Sequence, residues 1–204
     1  MNLVIGSGDI AALMAGIQTK TYQDLLRKFV DENKPYYNAL ASPIDALRTG
    51  AILETNYLKT LSDDYFIQVK VTSKEMDVFT SSLDFAKISN GRVIDFDELK
   101  TISIADYIDI VQPIAKMDEQ SKINFIKKKF KKYYNQVQAQ LYCADIDSAN
   151  LVFLSVDSYN DEDNYKRVIS STEYTKVRIK RDPAHIDAIR EKGLFFQNIK
   201  NHFK

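Results

Sequence analysis

Apolar residues recur at helical spacing towards the two ends of the chain and at alternate positions in its middle, and this change of period divides the sequence into elements. Ser7 caps a short helix from Asp9 to Ala15, and Thr21 to Val30 forms a second, with Leu25, Leu26 and Phe29 on one side. A third starts at Ser42, with Pro43 at its first position, and runs to about Leu61. Three strands follow. Phe66 to Thr72 alternates, with Ile67, Val69 and Val71 on one face, and Val78 to Ile88 and Val93 to Ile102 are joined through Asn90-Gly91, a hairpin signal. A loop and weak helix over Ile104 to Val111 lead into a long amphipathic helix from about Glu119 to Tyr142, carrying Ile123, Ile126, Phe130, Val137 and Leu141. Leu151 to Val156 and Tyr174 to Ile179 are further strands, and Asp182-Pro183 starts a final helix that Gly193 interrupts. The order predicts an α/β (α+β) fold, a central mixed sheet with an antiparallel meander flanked by helices, in one domain over residues 1–204.

Composition narrows the chemistry. Of 204 residues, 45% are hydrophobic and 27% charged, the proportions of an ordinary globular chain. No apolar run reaches the ~18 residues of a membrane span, and no basic region precedes an apolar stretch at the N-terminus, so no membrane partner and a cytoplasmic location are expected. The lone Cys143, in an apolar stretch, reads as a buried thiol and cannot nucleate a thiolate metal site. With two histidines only, His185 and His202, a histidine triad or multi-histidine metal centre is hard to build. Chemistry falls to carboxylates and lysines. The 28 basic and 28 acidic residues cancel, but between Gln120 and Ala144 there is no acid while Lys122, Lys127, Lys128, Lys129, Lys131 and Lys132 crowd together. A local basic face is what a phosphate backbone feels; a solvated charged face is the competing reading.

Glu54 falls where the apolar stripe of the third helix, Ile44, Leu47, Ala51, Leu58 and Leu61, expects an inward residue. Either it meets a cation, metal or donor there, or it lies at the edge of the stripe and reaches solvent. On the third strand of the meander Ile94, Phe96, Glu98, Lys100 and Ile102 share a face, so an acid and a base two residues apart interrupt an apolar row. Asp84 on the preceding strand stands opposite Glu98 only if the hairpin has a three-residue or bulged loop, because a strict two-residue turn opposes Asp84 to Asp97. With that loop three carboxylates and an ammonium converge, a set of hard oxygen donors for Mg²⁺ or Mn²⁺ and for phosphodiester hydrolysis. Taken alone, Glu98 and Lys100 could equally be a strand-edge salt bridge.

The ordered set Gly50 to Glu54 on a helix, Asp84 on a strand, Glu98-Leu99-Lys100 on the next and Tyr134-Asn135-Gln136-Val137-Gln138 on a helix resembles the YqaJ-like viral recombinase family of the PD-(D/E)xK nucleases. Ile5-Gly6-Ser7-Gly8-Asp9-Ile10-Ala11-Ala12 is similar to that family's opening motif. The resemblance implies a restriction-endonuclease-like fold and a metal-dependent 5′→3′ exonuclease on double-stranded DNA ends. Asp84, Glu98 and the Leu99 carbonyl would bind Mg²⁺, with Mn²⁺ as substitute; Lys100 would orient the attacking water; Glu54 would hold a second ion or its waters; Gln136 would support the site. It further implies a trimer and a single-strand annealing protein as partner.

Two positions depart from the family. Gly8 stands where it has a serine that helps hold a terminal phosphate, with Ser7 one step earlier, and Thr101 to Asp106 has no basic residue. Ser7, Lys127, Lys128, Lys129, Lys131 and Lys132 are the expected DNA contacts. The alternatives are a restriction- or repair-type endonuclease using the same site, and a non-catalytic DNA-binding protein.

Overall fold

A computed structural model describes residues 3–31, 40 and 42–203. The chain opens with β1 (Ile5–Gly6), a tight turn at Ser7–Asp9, α1 (Ile10–Leu13), α2 (Lys20–Val30) and α3 (Asp45–Leu58). The meander is β2 (Tyr65–Thr72), β3 (Phe79–Ser89) and β4 (Arg92–Ser103). Short helical turns α4 (Ile104–Asp106) and Tyr107–Val111 run into α5 (Gln112–Ala115), then α6 (Glu119–Lys129) and α7 (Lys131–Ala144). The chain ends with β5 (Ser148–Val156), α8 (Asp161–Lys166), β6 (Tyr174–Lys180) and α9 (Pro183–His202).

The sheet runs β1-β3-β4-β5-β6, with β2 also paired to β3. β1 lies parallel to β3 and β4 parallel to β5, while β2-β3, β3-β4 and β5-β6 are antiparallel, so the sheet is mixed as expected. Helices cover both faces. On one, Phe96, Leu151 and Phe153 pack with Ile126, Val137 and Leu141 of α6 and α7; on the other, Phe85, Leu99 and Val152 pack with Leu53 and Tyr57 of α3. A third cluster joins α1, α2 and α9 to the start of β3.

Several local expectations fail, each for a visible reason. The Asn90-Gly91 turn is a regular two-residue one, with φ of 50° and 71°, and the irregularity lies within β4 instead. Ile88 pairs with Val93 but Lys87 pairs with Asp95, so Ile94 is the inserted residue and is 48% exposed. Past this bulge Phe85 pairs with Asp97, which carries Asp84 to the position facing Glu98. In β2, Ile67 does not join Val69 and Val71 inside; Gln68 adopts φ of 51° and turns Ile67 out, leaving it 57% exposed.

The inward face of α3 is Thr49, Ile52, Leu53, Asn56 and Tyr57, and Ile44 and Leu47 are exposed. Ser42 does not cap this helix; its hydroxyl accepts from the Ile44 amide in the turn before it. Nor does Ser7 cap α1, whereas Thr19 caps α2. The long basic helix is two helices, broken at Phe130 (φ −117°, ψ 39°), where the ring packs on Phe153 at 4.7 Å between centroids. Gly193 does not interrupt α9. A side chain there would come within 2.3 Å of the Phe79 ring, so glycine allows close packing against β3. Asp182 caps this helix by accepting from the His185 amide.

Candidate active site

β3 and β4 part company beyond the pair Phe85 and Asp97, and the site lies in that fork. The next backbone amide, that of Leu99, donates to Asp84 Oδ2 at 2.9 Å, so a side chain replaces the ladder. β3 is itself irregular there: Leu83 packs in the cluster under α7 and Phe85 in the cluster under α3, although residues two apart in a regular strand share a face.

Glu98 is fully buried and every oxygen it has is engaged. Lys100 Nζ and Gln136 Nε2 each donate to Oε1 at 2.5 Å, and Gln140 Nε2 donates to Oε2. Gln136 and Gln140 are one helical turn apart on α7, so one face of that helix supplies both. Gln140 also donates to the Ser82 carbonyl at 3.2 Å, which ties α7 to β3. The Lys100 ammonium lies 5.5 Å from the centre of the Tyr133 ring.

Glu54 reaches the fork from α3, half-buried on the flank of that helix's inward face, where Gln68 Nε2 donates to its Oε2 at 3.2 Å. The stripe that suggested it points elsewhere, and Glu54 meets a donor while standing at the edge of the helix's inward face. Both acids feel the crowding. Burial first, then the charge of Glu98, pushes the Asp84 carboxyl well above the usual range, and Glu54 is raised for the same two reasons. Burial disfavours the Lys100 charge, but Glu98 and Asp84 outweigh it and hold the ammonium above its ordinary pKa. Three carboxylates share one ammonium.

The donors are all oxygens of acids, with the Leu99 carbonyl at hand on β4, and this is the chemistry a hard divalent cation takes. Among the described residues no three acids, imidazoles or thiolates stand as a finished ligand set. Each oxygen of Glu98 already accepts from the lysine or from a glutamine.

A cleft of about 550 Å³ opens on the fork and is lined by Ser7, Gly8, Lys70, Ser82, Asp84 and Gln136. Ser7 of the opening motif thus shares a cavity with two of the fork residues. The space beside Gly8 is open, with nothing within 4 Å of an added Cβ, so the departure from serine removes a hydroxyl without refilling its place. Lys70, from β2, is the basic residue among those lining this cleft.

The lysines divide. Lys127 is committed to Asp182 at 2.7 Å and lies over Tyr134, and Lys122 pairs with Glu119. Lys128, Lys129, Lys131 and Lys132 are exposed and form no ion pair among the described residues. Lys132 is one turn before Gln136 on α7, which sets it nearest the fork. Sequence reasoning missed Gln68, Gln140 and Lys70. The four-residue spacing of Gln136 and Gln140 was a signal for one of them; the alternation Ile67-Gln68-Val69 gave none. Among the described residues no helix is long and apolar enough to cross a membrane.

No family model matches the chain, and no curated protein sequence does. Solved structures do. An alkaline exonuclease, LHK-Exo, from Laribacter hongkongensis superposes with a TM-score of 0.63 at 17% identity over 98% of this chain and 90% of its own, and it has also been solved in complex with dAMP. A phage-related exonuclease from Haemophilus somnus 129PT superposes with a TM-score of 0.59 at 16% identity over 99% of this chain and 97% of its own. The chain therefore shares its overall fold, a mixed sheet flanked by helices, with these two exonucleases.

Proposed function

We propose that this protein is a divalent-metal-dependent deoxyribonuclease that hydrolyses phosphodiester bonds at the ends of double-stranded DNA. The observation that carries the reading is the fork itself, where Asp84, Glu98 and Glu54 crowd around a single ammonium, Lys100. A purely structural ion pair gains nothing from two surplus acids, because their repulsion destabilises the fold. The likeness to two exonucleases over nearly the whole chain supports the same choice.

Asp84, Glu98, the Leu99 carbonyl and Glu54 are the groups that would hold Mg²⁺ or Mn²⁺, and such an ion supplies Lewis acidity towards a phosphoryl oxygen and a more acidic water. The remaining work belongs to the chain. Lys100, kept charged by Glu98 and Asp84, donates to the attacking water or to the phosphate it approaches. Gln136 and Gln140 fix the plane of the Glu98 carboxylate from both sides, so that its lone pairs are aimed before substrate arrives. Ser7 and Lys70 offer a hydroxyl and a cation to the DNA backbone in the cleft, and the exposed lysines 128, 129, 131 and 132 extend that contact. Exonucleolytic action in the 5′→3′ direction, a trimeric ring and service to an annealing protein in recombination rest on the family resemblance. The dAMP held by LHK-Exo is a nucleoside monophosphate of the kind such a reaction releases.

Incubating the protein with end-labelled linear duplex and with covalently closed circular duplex, in Mg²⁺ or in EDTA, tests the reading. Mononucleotide release from the linear DNA alone, abolished by EDTA, is expected. Cutting of the closed circle points to the endonuclease alternative, and binding of DNA without cleavage in any divalent ion points to the non-catalytic one.

A further inference from the structure

Gln68 lies in the left-handed region in the middle of β2, between two β-branched residues, and drops out of the pairing with β3 opposite Asp84, where β3 is irregular too. Such a conformation persists in a non-glycine residue only where its surroundings enforce it. The surroundings here are Ser82, whose hydroxyl donates to Gln68 Oε1 at 2.8 Å, and Glu54, whose Oε2 accepts from Gln68 Nε2. Because a carboxylate can only accept, the amide must present its NH₂ to Glu54 and its oxygen to Ser82. A chain of contacts thus runs from β3 through β2 to α3, directly across from Asp84, whose neighbours Phe85 and Leu83 pair with Ile67 and Val69. The bond from Gln68 is the one side-chain hydrogen bond that Glu54 makes among the described residues. Two other acids face it, so a Glu54 released from this bond has every reason to swing towards solvent.

We propose that Gln68 is a positioning residue, turned into its left-handed conformation so that its amide holds the Glu54 carboxylate beside Asp84 and Glu98, where a divalent ion meets three acids instead of two. The inference rests on the nuclease reading of the fork and adds a residue that the ordered motifs do not contain. It also accounts for the exposure of Ile67, since the turn that aims the Gln68 amide at Glu54 sends its neighbour out.

Gln68→Gly keeps the left-handed backbone and deletes the amide, and Ser82→Ala deletes the hydroxyl that clamps it. Mn²⁺ binding to the full chain by calorimetry, and kcat and KM on linear duplex, are measured for the wild type, both single variants and the pair. Gln68→Gly should weaken Mn²⁺ binding and lower kcat by on the order of 10-fold each, with KM for DNA unchanged, as loss of a group that orients a metal ligand does. Ser82→Ala should act in the same direction by less, and the double variant should be no worse than Gln68→Gly, because both act through one contact. A crystal structure of Gln68→Gly should show the Glu54 side chain turned away from Glu98. Wild-type Mn²⁺ affinity and kcat in Gln68→Gly, or Glu54 unmoved in its structure, overturns the positioning role and leaves the nuclease reading standing. A wild type that neither binds Mn²⁺ nor cuts DNA overturns both.

Discussion

Asp97 and Glu98 are consecutive residues of β4, both fully buried acids, and they face opposite sides of the sheet with opposite consequences. Towards α3, Asp97 accepts from Tyr57 Oη, Asn150 Nδ2 and Lys176 Nζ, each at 2.7 Å. One acid meets one cation and two neutral donors, and the acid two residues before it, Asp95, has a cation of its own in Arg178. Towards α7, Glu98 is also fully hydrogen-bonded, but its cation is shared with Asp84 and Glu54. The first arrangement is complete without any other partner. The second is complete in hydrogen bonds and incomplete in charge, and that surplus separates a site from a strut. The strut also serves the site, because Tyr57 lies one turn beyond Glu54 on α3 and Asp97 just before Glu98.

The largest difference should come from removing the shared cation. Lys100→Ala should lower cleavage by at least ~10²–10³-fold, the effect of losing one aimed donor in an active site. Because it leaves three acids without their cation it should also lower the Tm of the metal-free protein, so cleavage is compared at a temperature where circular dichroism shows the variant folded. Wild-type turnover in this variant removes the fork from the chemistry.

On the other face the expected loss is of stability. Asp97→Ala leaves the Lys176 charge and two buried donors without their acceptor, at a cost of about 3–5 kcal/mol. For a chain of this size that lowers Tm by roughly 10 °C. Glu98→Gln, one residue along, should cost far less, because it reduces a surplus of acid. Equal destabilisation by the two substitutions would erase the distinction between the faces.

A smaller effect has the opposite sign. Because burial and Glu98 raise the Asp84 carboxyl, the folded state holds that proton to higher pH than the unfolded chain does. Stability from this group is therefore fully present below the unfolded carboxylate pKa of ~3.9 and is lost as pH rises through the folded value. Asp84→Asn should accordingly raise the Tm of the metal-free protein at pH 8 and lose its advantage near pH 4. Mg²⁺ should narrow the gap by stabilising the wild type alone. A Tm for Asp84→Asn below that of the wild type in EDTA at pH 8 contradicts the crowding.

The fork was legible in the sequence wherever local chemistry dictated structure. The alternation around Glu98 and Lys100 put both on one face, and Asn90-Gly91 fixed the hairpin, because these depend on residues within a few positions of one another. The register that brings Asp84 to Glu98 was not legible, since the bulge falls at Ile94, an apolar residue with no mark of irregularity. The rotation of α3 misled for a similar reason: Thr49 and Asn56 are polar yet buried, Asn56 donating to the Asn164 carbonyl of α8, more than a hundred residues away. Gln68 lies furthest beyond sequence reading, because its conformation is set by Ser82 and Glu54 on two other elements.

The smallest predicted effect concerns the basic surface. Substituting Lys128, Lys129 and Lys132 by alanine should reduce the slope of log affinity against log salt by up to ~0.9 for each phosphate that is no longer neutralised, measured on duplex DNA in Ca²⁺. Lys127→Ala should leave that slope alone, since its ammonium is already paired with Asp182. An unchanged slope in the triple variant assigns these lysines to a merely solvated face.

The contrast between the two faces of β4 is tested most directly by a crystal soaked in Mn²⁺ and measured at the manganese absorption edge. An anomalous peak in the fork, within coordination distance of Asp84 and Glu98 and absent from the surroundings of Asp97, is the predicted result. An empty fork at saturating Mn²⁺, or an ion seated beside Asp97 instead, would contradict it.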